Sequence, residues 1–563
     1  MHTARRLYVY LLSGISLGVL VAGLSMLLGL LLENLGLGPT GESLFGERDV
    51  IRERLTLATA MTAVALPLWL VHWIAAERSV RPDRPDAPVE RTSDVRGLYF
   101  AAAMGILLIV SAGSLSSILR GWIYAAGSAE TFGTTGIGSD LALLLVAGAA
   151  WGYHVALRSR DWARGPMTGG GAALPRTYLY LALLAGLWIF LTGFTGLIEL
   201  AGRALLGDTG FQDAAFAPEA WWTYPLAEAV SGIVVGGAIW IGHAWYAGRL
   251  LRDPGWRGAS ERPARLRLAY FVGAIVTTAI ATIYLAGDGM RQALEAAFGI
   301  ADASGAQLAG LILLPLVSSV AFGLTWYLHA RRMEEEAAAF AIPGRAETVE
   351  RLRCYAEVLV GLGFGAVSLA WLVGLVLDVV SGGGRVLVGT DSYRAELARY
   401  VPLLLLGGGV WLWRWREATT RWTMDPAAEA GATVRRAALL IVLAAAVLAS
   451  VASLGYVLYR LFGALFGVTA SGDVSSELSR AAGVLVVAAA VALYHGAQLR
   501  RDQAVRAAAV PPPVATPELS AGTSVLLRVT GPAGMDQATI VATVRGSLPA
   551  GMVAVVPEVP PET

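Results

Sequence analysis

The sequence predicts an all-α polytopic integral membrane protein, and three observations carry that reading. The 563 residues are 56% hydrophobic and only 15% charged, where a soluble domain carries about 25% charged residues. Twelve apolar runs punctuate the chain, each near the roughly 20 residues a helix needs to cross a bilayer. Short motifs recur at the ends of these runs, which marks tandem repetition.

The runs fall at 7–32, 55–76, 97–119, 141–157, 177–198, 226–247, 268–287, 308–330, 355–377, 401–413, 437–459 and 481–499. In lipid every backbone group must be bonded internally, so each run is expected as a helix. The 401–413 run is short and relies on flanking Trp and Arg side chains that reach the interface. The first run follows the basic start "MHTARR". It is too long for the core of a signal peptide and lacks a small-residue cleavage site, so a retained first span is expected.

All 43 basic residues are arginine, which excludes a Schiff-base or P-loop lysine, and the formal net charge of +1 implies no bulk attraction to nucleic acid. One cysteine, Cys354, rules out an internal disulfide or a cysteine metal cluster. With the N-terminus on the cytoplasmic side, the segments assigned inside hold 30 Arg and 17 acids, against 11 Arg and 19 acids outside. Arginine excess marks the cytoplasmic face. The expected location is therefore the bacterial inner (plasma) membrane, with both termini cytoplasmic.

The odd spans open alike, at "RRLYVY" (5–10), "RGLYFA" (96–101), "RTYLYL" (176–181), "RLAYFV" (267–272) and "RCYAEV" (353–358); "RRAALL" (435–440) keeps the arginines without a tyrosine. Tyr8, Tyr99, Tyr178, Tyr270 and Tyr355 are read as equivalent. The even spans close at "WLVH" (69–72), "WGYH" (151–154), "WIGH" (240–243), "WYLH" (326–329), "WLWR" (411–414) and "ALYH" (492–495). Steps between the closing residues are 82, 89, 86, 85 and 81 residues. The expected membrane domain, 1–506, is thus six two-helix repeats, at about 5–90, 91–170, 171–260, 261–345, 346–430 and 431–506.

"RRLYVYLLSGISLGVLVAGLSMLLGLLL" followed by "PLWLVHW" resembles the bacterial membrane family catalogued as domain of unknown function 5671. Its members carry tandem hairpins that open on Arg-Leu-Tyr and close on Pro-Leu-Trp-x-x-His-Trp. The resemblance covers roughly residues 5–500 and fits best in the first repeat. It implies the architecture and brings no assigned activity, substrate or cofactor.

The tail has a different composition. Residues 507–524 form a proline-rich linker. Residues 525–563 are expected as a small βαβ-like cytoplasmic unit, with strands at 525–529 and 552–557 around an amphipathic helix at 535–548. A unit of that size buries too little to be stable alone, which points to docking on the body, a second copy or a protein partner.

His72, His154, His243, His329 and His495 are the candidate cofactor-binding residues, because two histidines on facing helices are the pattern that holds haem. The plainer reading is interfacial. Three residues of helix rise about 4.5 Å, so Trp and His in W-x-x-H share one face at headgroup depth. Tyr at the start of an odd span lies at the same depth, and a phenol-to-imidazole hydrogen bond would clamp neighbouring helices. Arg414, a poor haem or zinc ligand, takes the histidine position in the fifth repeat.

The span middles carry no charge, unlike those of coupled transporters. Glu33, Glu199, Glu228, Asp288, Asp378 and Glu357 read as solvated helix ends. Hydroxyls and glycines within the spans read first as close packing, with a path for a neutral solute as the rival. Pro67, Pro315 and Pro402 are weak candidates for helix breaks. "GGG" at 169–171 and 382–384 lacks the Gly-Lys-Ser/Thr of a phosphate loop and reads as loop. The expectation is a non-enzyme with no catalytic residues, no metal and no cofactor. It is read first as a membrane scaffold or sensor with a cytoplasmic tail, next as a channel or transporter for a neutral or lipid-like solute, and last as a haem-binding electron carrier. The expected partners are the lipid bilayer and, through the tail, a protein or a second copy.

Overall fold

Every apolar run lies inside a long helix. The computed structural model describes residues 3–37, 47–127, 137–207, 221–303, 305–340, 342–381, 390–466, 474–509, 529 and 536–548. Long helices within it are α1 (Thr3–Leu32), α2 (Glu47–Ser79), α4 (Asp94–Gly127), α5 (Ile137–Ala163), α6 (Gly169–Leu206) and α7 (Thr223–Arg252). They continue as α9 (Arg265–Ala297), α10 (Gly305–Ala339), α11 (Arg345–Ser381), α12 (Thr390–Met424), α14 (Thr433–Leu465) and α15 (Val474–Ala509). Among the described residues twelve helices are long and apolar enough to cross a membrane, so the chain is a multi-pass membrane protein.

The helices extend beyond the apolar runs because their polar ends continue the backbone ladder. The short 401–413 run thus belongs to a 35-residue helix. Pro67, Pro315 and Pro402 lie within α2, α10 and α12 without interrupting them. Residues 169–171 are the first turn of α6 rather than a loop, with the Gly170 amide donating to Asp94 Oδ1 at 2.8 Å. Residues 382–384 lie outside the described residues.

Three short helices occupy connections between the spans: α3 (Ala87–Arg91), α8 (Trp256–Glu261) and α13 (Pro426–Gly431). Their start signals are legible in retrospect. Proline near the first position of α3 and α13 suits a helix start, and Asp425 accepts from the Ala428 amide at 2.9 Å as an N-cap.

Small residues set the helix spacing. A Cβ on Gly186 would lie 2.7 Å from the Trp240 backbone nitrogen, and one on Gly361 would lie 2.6 Å from that of Trp411. α6 and α7 meet in the same way as α11 and α12. The first- and fourth-helix contacts also recur, with Gly29 against Ser139, Gly202 against Leu314, and Gly374 against Arg480. Several hydroxyls within the spans bond back to carbonyls of their own helix, as in Ser111 to Leu107 (2.8 Å), Thr195 to Leu191 (2.9 Å) and Thr278 to Ala274 (2.6 Å). They satisfy themselves and pack, as expected of small polar residues in lipid.

The chain divides into Met1–Arg506 and Ala507–Thr563. In the second unit α16 (Gln537–Ser547) matches the expected tail helix, capped by Asp536, which accepts from the Thr539 amide at 2.7 Å. The strands expected at 525–529 and 552–557 lie outside the described residues, apart from Val529, which is in no strand, and no strand occurs among the described residues. The βαβ reading is therefore reduced to its helix.

Candidate functional site

Each of the five span-end histidines donates from Nδ1 to the carbonyl four residues earlier. The acceptors are Leu68 for His72 (2.8 Å), Ala150 for His154 (2.7 Å), Ile239 for His243 (2.8 Å), Thr325 for His329 (2.9 Å) and Val491 for His495 (2.9 Å). A carbonyl only accepts, so Nδ1 carries the proton and Nε2 of the neutral ring is left as an acceptor. Tyrosine hydroxyls donate to it: Tyr99 to His154 (2.9 Å), Tyr178 to His243 (2.9 Å) and Tyr270 to His329 (3.1 Å). Tyr8 instead meets His72 edge-on, with ring centroids 5.5 Å apart. The tyrosines in turn accept from the tryptophan of the preceding hairpin, Trp151 Nε1 to Tyr178 (2.9 Å) and Trp240 Nε1 to Tyr270 (3.4 Å). At these two junctions one hairpin's tryptophan holds the next hairpin's tyrosine, which holds that hairpin's histidine, so the three residue types recur together there. Both ring nitrogens of His154, His243 and His329 are engaged in these clamps.

A second constellation was not anticipated. Arg6 donates to Glu90 (2.7 Å), Arg176 to Glu261 (2.8 Å) and Arg351 to Glu429 (2.9 Å), each glutamate sitting buried on a short connecting helix. Further along, Arg96 pairs with Asp161 (2.5 Å), Arg267 with Glu336 (2.6 Å) and Arg435 with Asp502 (2.6 Å). A tyrosine four residues after the first arginine meets the second arginine in all three copies, and in the second and third it joins the two pairs. Arg96 donates to Tyr10 (2.9 Å), Arg267 to Tyr180 (3.4 Å) and Arg435 to Tyr355 (2.9 Å). Tyr180 donates onward to Glu261, and Tyr355 to Glu429 at 2.7 Å. The signals are plain once sought: Arg-x3-Tyr at 6/10, 176/180 and 351/355, and an acid seven residues after His154, His329 and His495. Their period is 170 and 175 residues, four helices rather than two.

This register corrects two readings. Tyr355 corresponds to Tyr10 and Tyr180, not to Tyr8 and Tyr178, and Arg353 holds the latter position. Glu357 is no solvated helix end. It is fully buried, accepts from Trp326 Nε1 at 2.8 Å, and is ion-paired with Arg414 and with Arg353 (3.3 Å). A charged Arg–Glu–Arg cluster here replaces the Tyr–His clamp. Near the other helix ends, Glu33, Glu228, Glu199 and Asp288 pair with Arg54, Arg120, Arg203 and Arg291. In the last hairpin Ala438 stands where Tyr99 and Tyr270 stand, and His495 Nε2 is buried without a hydrogen-bond partner among the described residues.

Between the first and second four-helix units lie two cavities. A groove of about 1250 Å³ follows α4, α6 and α7, apolar along most of its length, with Glu199, Arg203 and Glu228 at one end. A cavity of about 510 Å³ between α4, α5, α6 and α7 is walled by Trp151, Tyr178 and His243 of the clamp, together with Arg158, Trp162 and Arg176.

Four long helices, a short connecting helix, an Arg–Glu pair, an Arg–acid pair and a tyrosine on the second arginine, repeated three times, define a tandem-repeat helical membrane protein. A family model described as Domain of unknown function (DUF5671) matches the chain in three copies, at residues 6–149, 176–328 and 351–504. The chain belongs to that family, and the copies begin at Arg6, Arg176 and Arg351, the first residue of each relay. No curated protein and no solved structure matches the chain.

Proposed function

We propose that this protein is a non-catalytic scaffold in the bacterial inner membrane, with both termini cytoplasmic, whose twelve-span body anchors the C-terminal unit for a protein partner or a second copy. The observation that carries the reading is the threefold relay. Its arginines and buried acids are matched to one another, and Tyr180 and Tyr355 are shared between both pairs. Removing one partner of a buried ion pair costs roughly 3–5 kcal/mol, so such pairs favour one arrangement of the helices. That suits a rigid platform better than an alternating-access machine. The histidines are read as helix clamps in the same platform, not as haem ligands. The four-helix unit is itself read as a duplicated hairpin, because the imidazole-to-carbonyl bond recurs in both halves of the first two units and the Tyr–His bond in both halves of the second.

Orientation is tested by reporter fusions in the 41–46 and 169–171 segments, expected periplasmic and cytoplasmic respectively; the reverse pattern refutes it. The scaffold reading is tested by deleting residues 507–563 in cells. The truncated chain should insert normally and reproduce the phenotype of deleting the whole gene. Full function from the body alone would overturn the proposal. The groove of about 1250 Å³ favours a second reading, passage of a lipid-like solute. Accelerated lipid or neutral-solute movement in proteoliposomes would select it.

A further inference from the structure

We infer that the cavity between the first and second four-helix units is a binding site for one anionic phospholipid, held by Arg158 at its headgroup and by the apolar cavity wall at its acyl chain. Arg158 lies one helical turn beyond His154 on α5 and is more than nine-tenths buried. One of its nitrogens, Nη2, donates to the Gly171 carbonyl at 2.6 Å, while Nε is buried with no hydrogen-bond partner among the described residues. No carboxylate among the described residues forms an ion pair with it; nearby Asp161 is paired with Arg96 through Oδ2. It is thus a buried arginine that has no ion-pair partner among the described residues and keeps one unbonded donor.

Asp161 on the same helix offsets part of the Arg158 charge, and Arg96 and Arg176 oppose it. The Arg158 and Arg176 guanidinium carbons lie 5.6 Å and 6.0 Å from the ring centroid of the same indole, Trp162. Two cations therefore flank one ring while Glu261 neutralises only Arg176. A buried charge without an ion-pair partner is costly, and a phosphate accepting from Arg158 would supply both that partner and the missing acceptor. All three side chains line the cavity of about 510 Å³, within the usual range of about 300–1,000 Å³ for ligand pockets. Away from them the wall turns apolar, with Met104, Leu108 and Leu144, and its lining includes the exposed Trp245. A charged end at headgroup depth and an apolar end toward the bilayer interior match an anionic amphiphile. Met333 and Leu499 occupy the position of Arg158 after His329 and His495, so the site belongs to this junction alone and one lipid per chain is expected.

The test is native mass spectrometry of the full chain, delipidated in detergent and titrated with phosphatidylglycerol or phosphatidylcholine of identical acyl chains. The wild type should retain one phosphatidylglycerol at least tenfold more tightly than phosphatidylcholine. Arg158→Gln should abolish that preference and Arg158→Lys should keep most of it. Gly242→Leu is a second arm that leaves the charge intact. A Cβ on Gly242 meets no atom within 4 Å, so the chain should fold, and the added side chain fills the cavity and should lower retention of both lipids. Equal retention of the two lipids by wild type, or unchanged retention in Gly242→Leu, overturns the inference. If Arg158→Gln fails to fold, the Gly242→Leu arm decides alone.

Discussion

Replacing Asp161 with asparagine removes one charge from the most enclosed ion pair while keeping its shape. Arg96 and Asp161 are 1% and 0% exposed, and the carboxylate accepts from Arg96 Nε at 2.9 Å and Nη2 at 2.5 Å. Asparagine retains one acceptor oxygen and loses the charge. Breaking one partner of a buried pair costs about 3–5 kcal/mol. Glu77 remains on Arg96 Nη2 at 2.8 Å, so the lower end, about 3 kcal/mol, is expected. Arg96→Met should cost at least as much, because it strands a fully buried aspartate. The double variant Arg96→Met/Asp161→Leu removes both charges, and a well-packed apolar pair is often neutral or better than an ion pair. It should therefore be more stable than Arg96→Met alone, and in the cycle closed by the Asp161→Leu single variant the coupling energy should be about 3 kcal/mol. Steric-trapping measurements of unfolding in bicelles report these values. Single-variant costs under 0.5 kcal/mol, or a double variant equal to the sum of the singles, would refute the reasoning.

The other predictions concern the clamps, the packing and the tail. Tyr178→Phe removes the donor to His243 and the acceptor of Trp151, and should cost about 1–3 kcal/mol in the same unfolding assay. His154→Leu should destabilise by a similar amount because it strands Tyr99, whereas His495→Leu removes an imidazole nitrogen that has no partner and should be neutral or stabilising; equal costs at the two sites would contradict the clamp. Gly361→Ala forces a methyl against the Trp411 backbone and should cost about 1–3 kcal/mol, while Gly363→Ala, where a Cβ meets nothing within 4 Å, should be nearly silent. The Thr539 hydroxyl and amide hold the Asp536 carboxyl below the ordinary carboxylate range. Its cap is thus fully formed above the unfolded aspartate value and lost as pH falls through the lower folded one. Cα chemical shifts of residues 537–547 should lose helical character in that acidic window, and Asp536→Asn should remove the dependence.

Much of the architecture was readable from residues because the bilayer leaves few choices. Apolar length alone gave the twelve spans, and W-x-x-H with an opening tyrosine gave the partner that His154, His243 and His329 each take. The true repeat length was harder to see. Tryptophan and histidine recur every two helices, whereas the arginine relay recurs every four, and the louder aromatic signal set the shorter period. Tyr355 was placed with Tyr8 because both follow an arginine by two residues; its partners Glu429 and Arg435, 74 and 80 residues away in sequence, are what fix its register. The position of Glu357 near a span end suggests solvation, and only packing against Trp326 and Arg414 buries it. The short helices α3, α8 and α13 escaped notice because five or six residues give no periodicity. The role of the buried glutamates on them depends on arginines that lie 78 to 85 residues earlier.

The most direct test of the threefold clamp is an experimental structure of the full chain in lipid nanodiscs, with residues 6–149, 176–328 and 351–504 superposed on one another. Glu90, Glu261 and Glu429 should coincide, each buried and within ion-pair distance of Arg6, Arg176 and Arg351 respectively, with Tyr10, Tyr180 and Tyr355 beside Arg96, Arg267 and Arg435. Glutamates turned to water, or arginines paired differently from one copy to the next, would contradict the account.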